Sequence, residues 1–131
     1  MTTRPRRRIK VMVVDDDEIV LEVTRDRLET AGYEVTVRSS ALGTTGAIMR
    51  ERPDFVLLDV AMPGLPGDEL ARLLGERDLR PRPKIILHSG SSRSKLVELA
   101  DQCGAVGVIE KTSNERLFIN QVADCIASFV V

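Results

Sequence analysis

Acidic residues follow two of the apolar runs in this chain. Asp15 and Asp16 come directly after the run at residues 9–14, and Asp59 comes directly after the run at residues 55–58. Short apolar runs that are followed by turn-forming residues are typical of buried strands. If the ends of these two strands are neighbours, the carboxylates would repel one another unless a cation neutralises them. Mg²⁺, or Mn²⁺ in its place, prefers carboxylate oxygens, so the pattern predicts a divalent metal site.

Two further polar residues stand at the ends of later apolar runs. Ser89 follows the run at residues 83–88, and Lys111 follows the run at residues 106–110. Parallel strands bring their C-terminal ends to one edge of a sheet, where open α/β sheets bind ligands. This set suits phosphate chemistry. Asp59 would be a carboxylate nucleophile that forms an aspartyl phosphate, while the Lys111 ammonium and the Ser89 hydroxyl would contact phosphoryl oxygens.

The elements that must position these residues alternate regularly between strand and helix. Strands are predicted at residues 9–14, 34–38, 55–58, 83–88 and 106–110. Helices are predicted at residues 17–31, 41–52, 68–77 and 91–103, and over the remaining residues of the chain. Five strand–helix units in succession predict an α/β fold, with one parallel sheet covered by helices on both faces.

The spacing of apolar residues predicts which side chains of the helices face the core. In the first helix these are Val20, Val23, Leu28 and Ala31. In the fourth helix they are Leu96, Leu99, Ala100 and Cys103, and in the last helix they are Phe118, Val122, Cys125 and Phe129.

The composition of the 131 residues is that of one ordinary globular domain. Five of the 19 basic residues fall in the first ten positions, which hold no acid. We therefore predict a solvated basic tail at residues 1–8 and one domain at residues 9–131. A net charge of −1 gives no case for direct nucleic-acid binding. No signal peptide or membrane-spanning run is found, and two isolated cysteines suit a reducing compartment, which together predict a cytoplasmic protein.

Four motifs, taken together and in order, resemble the receiver domain of bacterial two-component response regulators. They are Val-Val-Asp-Asp at residues 13–16, Leu-Leu-Asp-Val-Ala-Met-Pro-Gly at 57–64, Ile-Ile-Leu-His-Ser-Gly at 85–90 and Val-Ile-Glu-Lys at 108–111. The resemblance extends from about residue 9 to the end of the chain. It implies a flavodoxin-like, doubly wound (βα)5 fold with strand order 2-1-3-4-5.

The resemblance also implies roles for individual residues. Asp59 would accept a phosphoryl group from a histidine kinase or a phosphotransfer protein. Asp16 and Asp59 would ligate Mg²⁺ directly, Asp15 mostly through water, and Ala61 through its backbone carbonyl. Ser89 would be the switch hydroxyl and Lys111 the phosphate-binding lysine.

Two positions depart from the pattern of this family. The residue after the lysine is usually Pro, often with a cis bond, whereas here it is Thr112. We expect a trans Lys111–Thr112 bond and a capping box at residues 112–115. A switching Tyr or Phe often precedes the lysine by three positions, whereas here it is Val108. We therefore expect any signal to pass through residues 89–94 and the fourth helix.

These observations predict a stand-alone receiver that is not an enzyme beyond its own phosphorylation and dephosphorylation chemistry. Its output would be a downstream protein that reads the face of the fourth helix, the fifth strand and the last helix, with the receiver a monomer or weak dimer. One alternative is a pseudo-receiver, a protein-binding module that works without phosphate. A phosphatase of the haloacid dehalogenase type would use Asp15 and Asp17, but it leaves Asp59 without a role.

Overall fold

Five parallel strands form the central sheet of this protein, whose computed structural model describes residues 8–62 and 83–129. The strands are β1 (Lys10–Val14), β2 (Glu34–Arg38), β3 (Phe55–Leu58), β4 (Lys84–Ser89) and β5 (Gly107–Glu110). Their order in the sheet is β2-β1-β3-β4-β5. This order confirms the predicted flavodoxin-like topology, in which the chain reverses its direction across the sheet after β2, so that β3 lies on the other side of β1.

Four helices are found in the described residues. They are α1 (Glu18–Thr30), α2 (Thr44–Glu51), α3 (Arg93–Cys103) and α4 (Glu115–Ala127). The fourth predicted helix is thus α3, and the last predicted helix is α4. The helix predicted at residues 68–77 and nearly all of the basic tail lie outside the described residues.

The register of the central strands brings their C-terminal ends together. Val14 pairs with Leu58 across β1 and β3, and Leu58 pairs with Leu87 across β3 and β4. The backbone pairing continues past the strands, because the Asp59 amide donates to the Val14 carbonyl at 2.9 Å. The residue that follows β3 is therefore held at the same edge as the residues that follow β1.

Alternate residues of each strand point to opposite faces of the sheet, and both faces are covered. One hydrophobic cluster joins strand residues to α2 and α3, and it includes Met12, Val56, Leu87, Ile48 and Leu96. The other cluster joins strand residues to α1 and α4, and it includes Val13, Leu57, Ile109, Leu28 and Phe118. Burial on both faces explains why the central strands β1 and β3 are almost entirely apolar in sequence, whereas the edge strand β2 is not.

The predicted inner face of α1 was partly wrong. The buried residues are Leu21, Thr24 and Leu28, whereas Val23 is 43% exposed. These three residues are spaced i, i+3, i+7 and form one face of the helix. The prediction missed this face because it used apolar residues alone, and Thr24 is polar.

The starts of α2 and α4 and the inner face of α4 also differ from prediction. Gly43 adopts a left-handed conformation (φ 79°), so α2 starts after it rather than at residue 41. Asn114 caps α4 by accepting from the Leu117 amide, so the predicted capping box at residues 112–115 was wrong. The fully buried residues of α4 are Phe118, Val122 and Ile126, while Cys125 is partly buried against the same cluster and Phe129 is exposed.

Gly107 in β5 lies against Cys125 of α4, and this close approach leaves no room for a side chain. A Cβ atom added at Gly107 would lie 2.7 Å from the Cys125 Sγ. We expect Gly107→Ala to lower the free energy of unfolding by about 1–3 kcal/mol, the usual cost of overpacking a core. Equilibrium unfolding in urea would measure the change.

The matched control is the same substitution in a Cys125→Ala background, where the clashing sulfur is absent. There Gly107→Ala should be close to neutral, since an alanine also restricts the unfolded chain more than a glycine does. An equal loss of stability in both backgrounds would show that the clash with Cys125 is not the cause.

Candidate functional site

Three carboxylates converge at the C-terminal edge of the sheet. Asp15 and Asp16 follow β1 and Asp59 follows β3, and one oxygen from each carboxylate lies within 4.8 Å of the other two. Asp15 and Asp59 are buried, whereas Asp16 is exposed. The two acidic motifs singled out in the sequence thus form a single cluster with one open, solvent-facing side.

Asp17 lies beside this cluster but has a different role. Its side chain accepts from the Ile19 and Val20 amides and thereby caps α1. Its own amide donates to Asp15 Oδ1 at 2.9 Å, which fixes the orientation of that buried carboxylate. Asp17 is therefore occupied at the helix terminus, which argues against the dehalogenase-type alternative in which it would act on substrate.

Lys111 supplies the positive charge of the site. Its Nζ lies 2.8 Å from Asp15 Oδ2 and 3.5 Å from Asp59 Oδ2. Its backbone amide donates to the Ser89 carbonyl at 2.7 Å, which extends the pairing of β4 and β5 by one residue. The ammonium is thus placed between the two buried carboxylates by the sheet itself.

The charges at the site do not balance. Three carboxylates and one ammonium carry a formal charge of −2 when all are ionised. Burial raises the pKa of the Asp59 carboxyl, and the neighbouring Asp15 and Asp16 add to this, while the Ala61 amide and Lys111 oppose it. Burial would lower the pKa of Lys111, but the two carboxylates beside it outweigh burial and raise that pKa.

A divalent cation fits this set of donors. Mg²⁺ and Mn²⁺ take carboxylate oxygens and keep several waters, which the exposed side at Asp16 can accommodate. Ala61, the fourth predicted ligand, follows Asp59 closely, and its amide donates to Asp59 Oδ1 at 3.2 Å. Coordination by the Ala61 carbonyl stays a prediction.

Ser89 and Val108, the two candidate switching positions, are both buried. Ser89 ends β4, and its hydroxyl accepts from the Ser91 amide at 3.3 Å. It therefore lies at the predicted edge but is bonded within its own loop. Val108 belongs to the hydrophobic cluster under α3, opposite Leu87 in the neighbouring strand. Whether the signal passes through the Ser89 loop stays a prediction.

His88, the only histidine of the chain, is a packed side chain rather than a catalyst. It is buried and lies against the Phe118 ring with 5.5 Å between ring centroids. Burial lowers the pKa of His88 to about 3, with smaller contributions from the charges of Lys111 and Arg27. The imidazole is therefore neutral at physiological pH.

Arg27 is the residue near the site that sequence reasoning missed. It extends from α1 to the loop after Lys111 and donates to the Thr112 carbonyl at 2.9 Å and the Ser113 carbonyl at 3.2 Å. A basic residue in the last turn of a helix is unremarkable in sequence, so no local signal distinguishes Arg27 from its neighbour Arg25.

Comparisons with known proteins agree with this architecture. A family model for the response regulator receiver domain matches residues 11–123. The transcriptional regulatory protein CseB of Streptomyces coelicolor is 29% identical over 119 residues, which are 91% of this chain and 50% of CseB. The polar-differentiation response regulator DivK of Brucella anthropi is 29% identical over 113 residues, which are 86% of this chain and 91% of DivK. The chain thus spans about half the length of CseB and an extent close to that of DivK.

Solved structures share the fold. The Vibrio cholerae chemotaxis protein CheY4 superposes with a TM-score of 0.82 at 21% identity, covering 91% of this chain and 99% of CheY4. A CheY-like receiver domain protein from Methanospirillum hungatei JF-1 superposes with a TM-score of 0.79 at 27% identity, covering 93% of this chain and 96% of that chain. Within residues 8–62 and 83–129, no helix has the length and apolar character needed to cross a bilayer.

The buried charge of Asp59 generates a prediction about stability. We expect Asp59→Asn to raise the free energy of unfolding at neutral pH in metal-free solution, on the order of 1 kcal/mol. The folded pKa of Asp59 is raised by burial, so its ionised form costs stability. That cost is absent below the unfolded pKa of about 3.9, develops as the pH rises, and is complete above the folded pKa. Urea titrations across this pH range would measure it.

The advantage of the Asn variant should therefore shrink as the pH falls toward about 4. It should also shrink when Mg²⁺ is added at neutral pH, because a ligand that binds only the folded wild type stabilises it by mass action. A variant less stable than the wild type at every pH would contradict the assignment of Asp59 as an unfavourably buried charge.

The acidic cluster also generates a prediction about metal binding. We expect one Mg²⁺ or Mn²⁺ site of modest affinity, which Asp16→Ala should weaken at least about 10-fold, because the ion relies on few protein carboxylates. Calorimetric titration would measure it. Asp26→Ala removes an exposed acid of α1 outside the cluster and should leave the affinity unchanged. Equal binding by the wild type and Asp16→Ala would rule out this site.

Proposed function

The chain belongs to the response regulator receiver domain family, and from this we propose that it is a Mg²⁺-dependent phosphoryl acceptor that uses Asp59. The acceptor would take its phosphoryl group from a histidine kinase or a phosphotransfer protein and would switch the binding of a downstream protein. It acts as a signalling domain whose only chemistry is its own phosphorylation and dephosphorylation.

One observation carries this proposal. Asp59 is a buried carboxylate at the end of a central strand, and the ammonium of Lys111 lies 3.5 Å from its Oδ2. A buried acid with a raised pKa is more basic than a solvated one, and it is correspondingly more nucleophilic. The pairing of a nucleophile with a fixed cation is the arrangement that phosphoryl transfer uses.

The proposed reaction needs little covalent work from the protein. An Asp59 carboxylate oxygen attacks the phosphorus of a phosphohistidine while the P–N bond breaks. The imidazole leaves with the bonding electron pair and takes up a proton, and the acceptor becomes a mixed carboxylic–phosphoric anhydride. Lys111 stands where its ammonium stabilises charge on a phosphoryl oxygen. A Mg²⁺ ion held by Asp15, Asp16 and Asp59 would neutralise the carboxylates and the incoming phosphoryl oxygens.

The proposed switch uses Ser89 and the face formed by α3, β5 and α4. The Ser89 hydroxyl donates to Ser91 Oγ at 3.5 Å, a length at which the bond is weak enough to be exchanged for a bond donated to a phosphoryl oxygen. A move of Ser89 toward Asp59 would release the loop that leads into α3. We propose a downstream protein as the reader, with no direct nucleic-acid contact by this domain, in a cytoplasmic setting and as a monomer or weak dimer.

Asp59→Asn should abolish phosphoryl uptake from a small-molecule donor such as acetyl phosphate in the presence of Mg²⁺. The amide is a far weaker nucleophile than the carboxylate and a poorer metal ligand. Intact-mass spectrometry would measure the phosphoryl adduct, which wild-type protein should carry once per chain.

The matched control is Asp17→Asn, which changes a neighbouring acid in the same way. Asn and Asp are comparable helix caps, so this variant should still take up the phosphoryl group. Uptake by Asp59→Asn would refute the acceptor assignment. A wild type that takes up no phosphoryl group would favour the pseudo-receiver alternative, and loss of uptake in Asp17→Asn would favour the dehalogenase-type reading.

A further inference from the structure

The loop that follows Lys111 is tied to α1 by a single side chain. Arg27 donates one nitrogen of its guanidinium to the Thr112 carbonyl at 2.9 Å and the other to the Ser113 carbonyl at 3.2 Å. These contacts join residues that are 85 and 86 positions apart in the chain. Side chains on a helix lean toward its N-terminus, so an arginine late in α1 can reach back to the edge where the site lies.

Arg27 is itself held in place on its apolar side. Its guanidinium carbon lies 5.6 Å from the centroid of the Phe118 ring, and His88 also lies against that ring. A planar guanidinium that lies over an aromatic ring and donates to two carbonyls is restrained in both position and orientation. Lysine could supply the charge but not this fork.

Packing alone does not fix this loop. A cavity of about 340 Å³ lies between α1 and the loop, and its lining includes Val23, Arg27, His88, Lys111 and Thr112. Neither Thr112 nor Ser113 is a proline, so no ring fixes the backbone here, and the loop's own bond from the Asn114 amide to the Thr112 hydroxyl spans only two residues. The two bonds from Arg27 are therefore the long-range polar connection of the loop within the described residues.

We propose that Arg27 is a positioning residue for Lys111. By holding the next two carbonyls, it fixes the direction in which the chain leaves β5 and thus the placement of the ammonium between Asp15 and Asp59. This proposal rests on the proposed function of the site. Since displacement of a catalytic group by about 1 Å can cost up to about 100-fold in rate, we expect Arg27→Ala to slow phosphoryl uptake about 10-fold.

The experiment is a double-mutant cycle that measures the rate of phosphoryl uptake from acetyl phosphate at saturating Mg²⁺. Arg27→Ala and Lys111→Ala are compared singly and together. If Arg27 acts through Lys111, its loss should slow uptake in the wild-type background and have no further effect once Lys111 is absent. Equal slowing in both backgrounds would overturn the proposal, because a general structural role would reduce the rate with or without the lysine.

Two further variants separate the effect of the two hydrogen bonds donated by Arg27 from the effect of its positive charge. Arg25→Ala removes an exposed arginine from the same helix and should leave the rate unchanged. Arg27→Lys keeps the charge and tests the case in which Arg27→Ala fails to fold. It should remain slower than the wild type, and full activity in this variant would show that the two-carbonyl fork is not needed.

Hydrogen exchange gives a readout that does not depend on phosphoryl transfer. Arg27→Ala should speed exchange of the Lys111 and Asn114 amides, which are bonded to Ser89 and to Thr112, while Arg25→Ala should not. Unchanged exchange at both amides would overturn the positioning role even if the wild type took up no phosphoryl group. If the wild type takes up the phosphoryl group and Arg27→Ala does so at the same rate, the positioning role of Arg27 is refuted while the proposed function is not.

Discussion

Repulsion among three carboxylates is the constraint around which the C-terminal edge of this protein is built. Two of the three are buried, where charge is expensive, and one ammonium is too little to offset them. An edge of this kind is stabilised by any group that brings positive charge to it. The same imbalance that lowers the stability of the fold suits the site to a divalent cation, which the proposed phosphoryl transfer would require.

The strand order of the sheet holds these charged side chains close together. β1 and β3 are adjacent because the winding of the chain reverses between them, and this adjacency puts Asp59 beside Asp15. β5 lies two strands away from β3, and the long side chain of Lys111 spans that distance. An aspartate or asparagine at position 111 would be too short to do so. Position 111 therefore needs the length of a lysine side chain as well as its positive charge.

The sheet and the acidic cluster were predictable because their signals are local and simple. An apolar run followed by Asp identifies a strand and its end, and parallel strands then bring such ends together without further information. Thr24 was missed because burial of a polar residue depends on neighbours that the local pattern does not contain. Asn114 was missed as the cap because Thr112 and Ser113 beside it are equally good candidates by type. Arg27 was missed because its partners lie more than 80 positions away.

Cys125 illustrates a different consequence of close packing. Its sulfur lies where a side chain on β5 would otherwise be, and burial raises the pKa of its thiol, with Asp124 adding to the rise and Arg93 opposing it. Cys125 is only partly exposed, and thiolate rather than thiol is the reactive form, so partial burial and the raised pKa both slow its alkylation in the native state. The alkylation rate of this native thiol therefore reports how closely α4 packs on β5, on the face proposed to meet a partner.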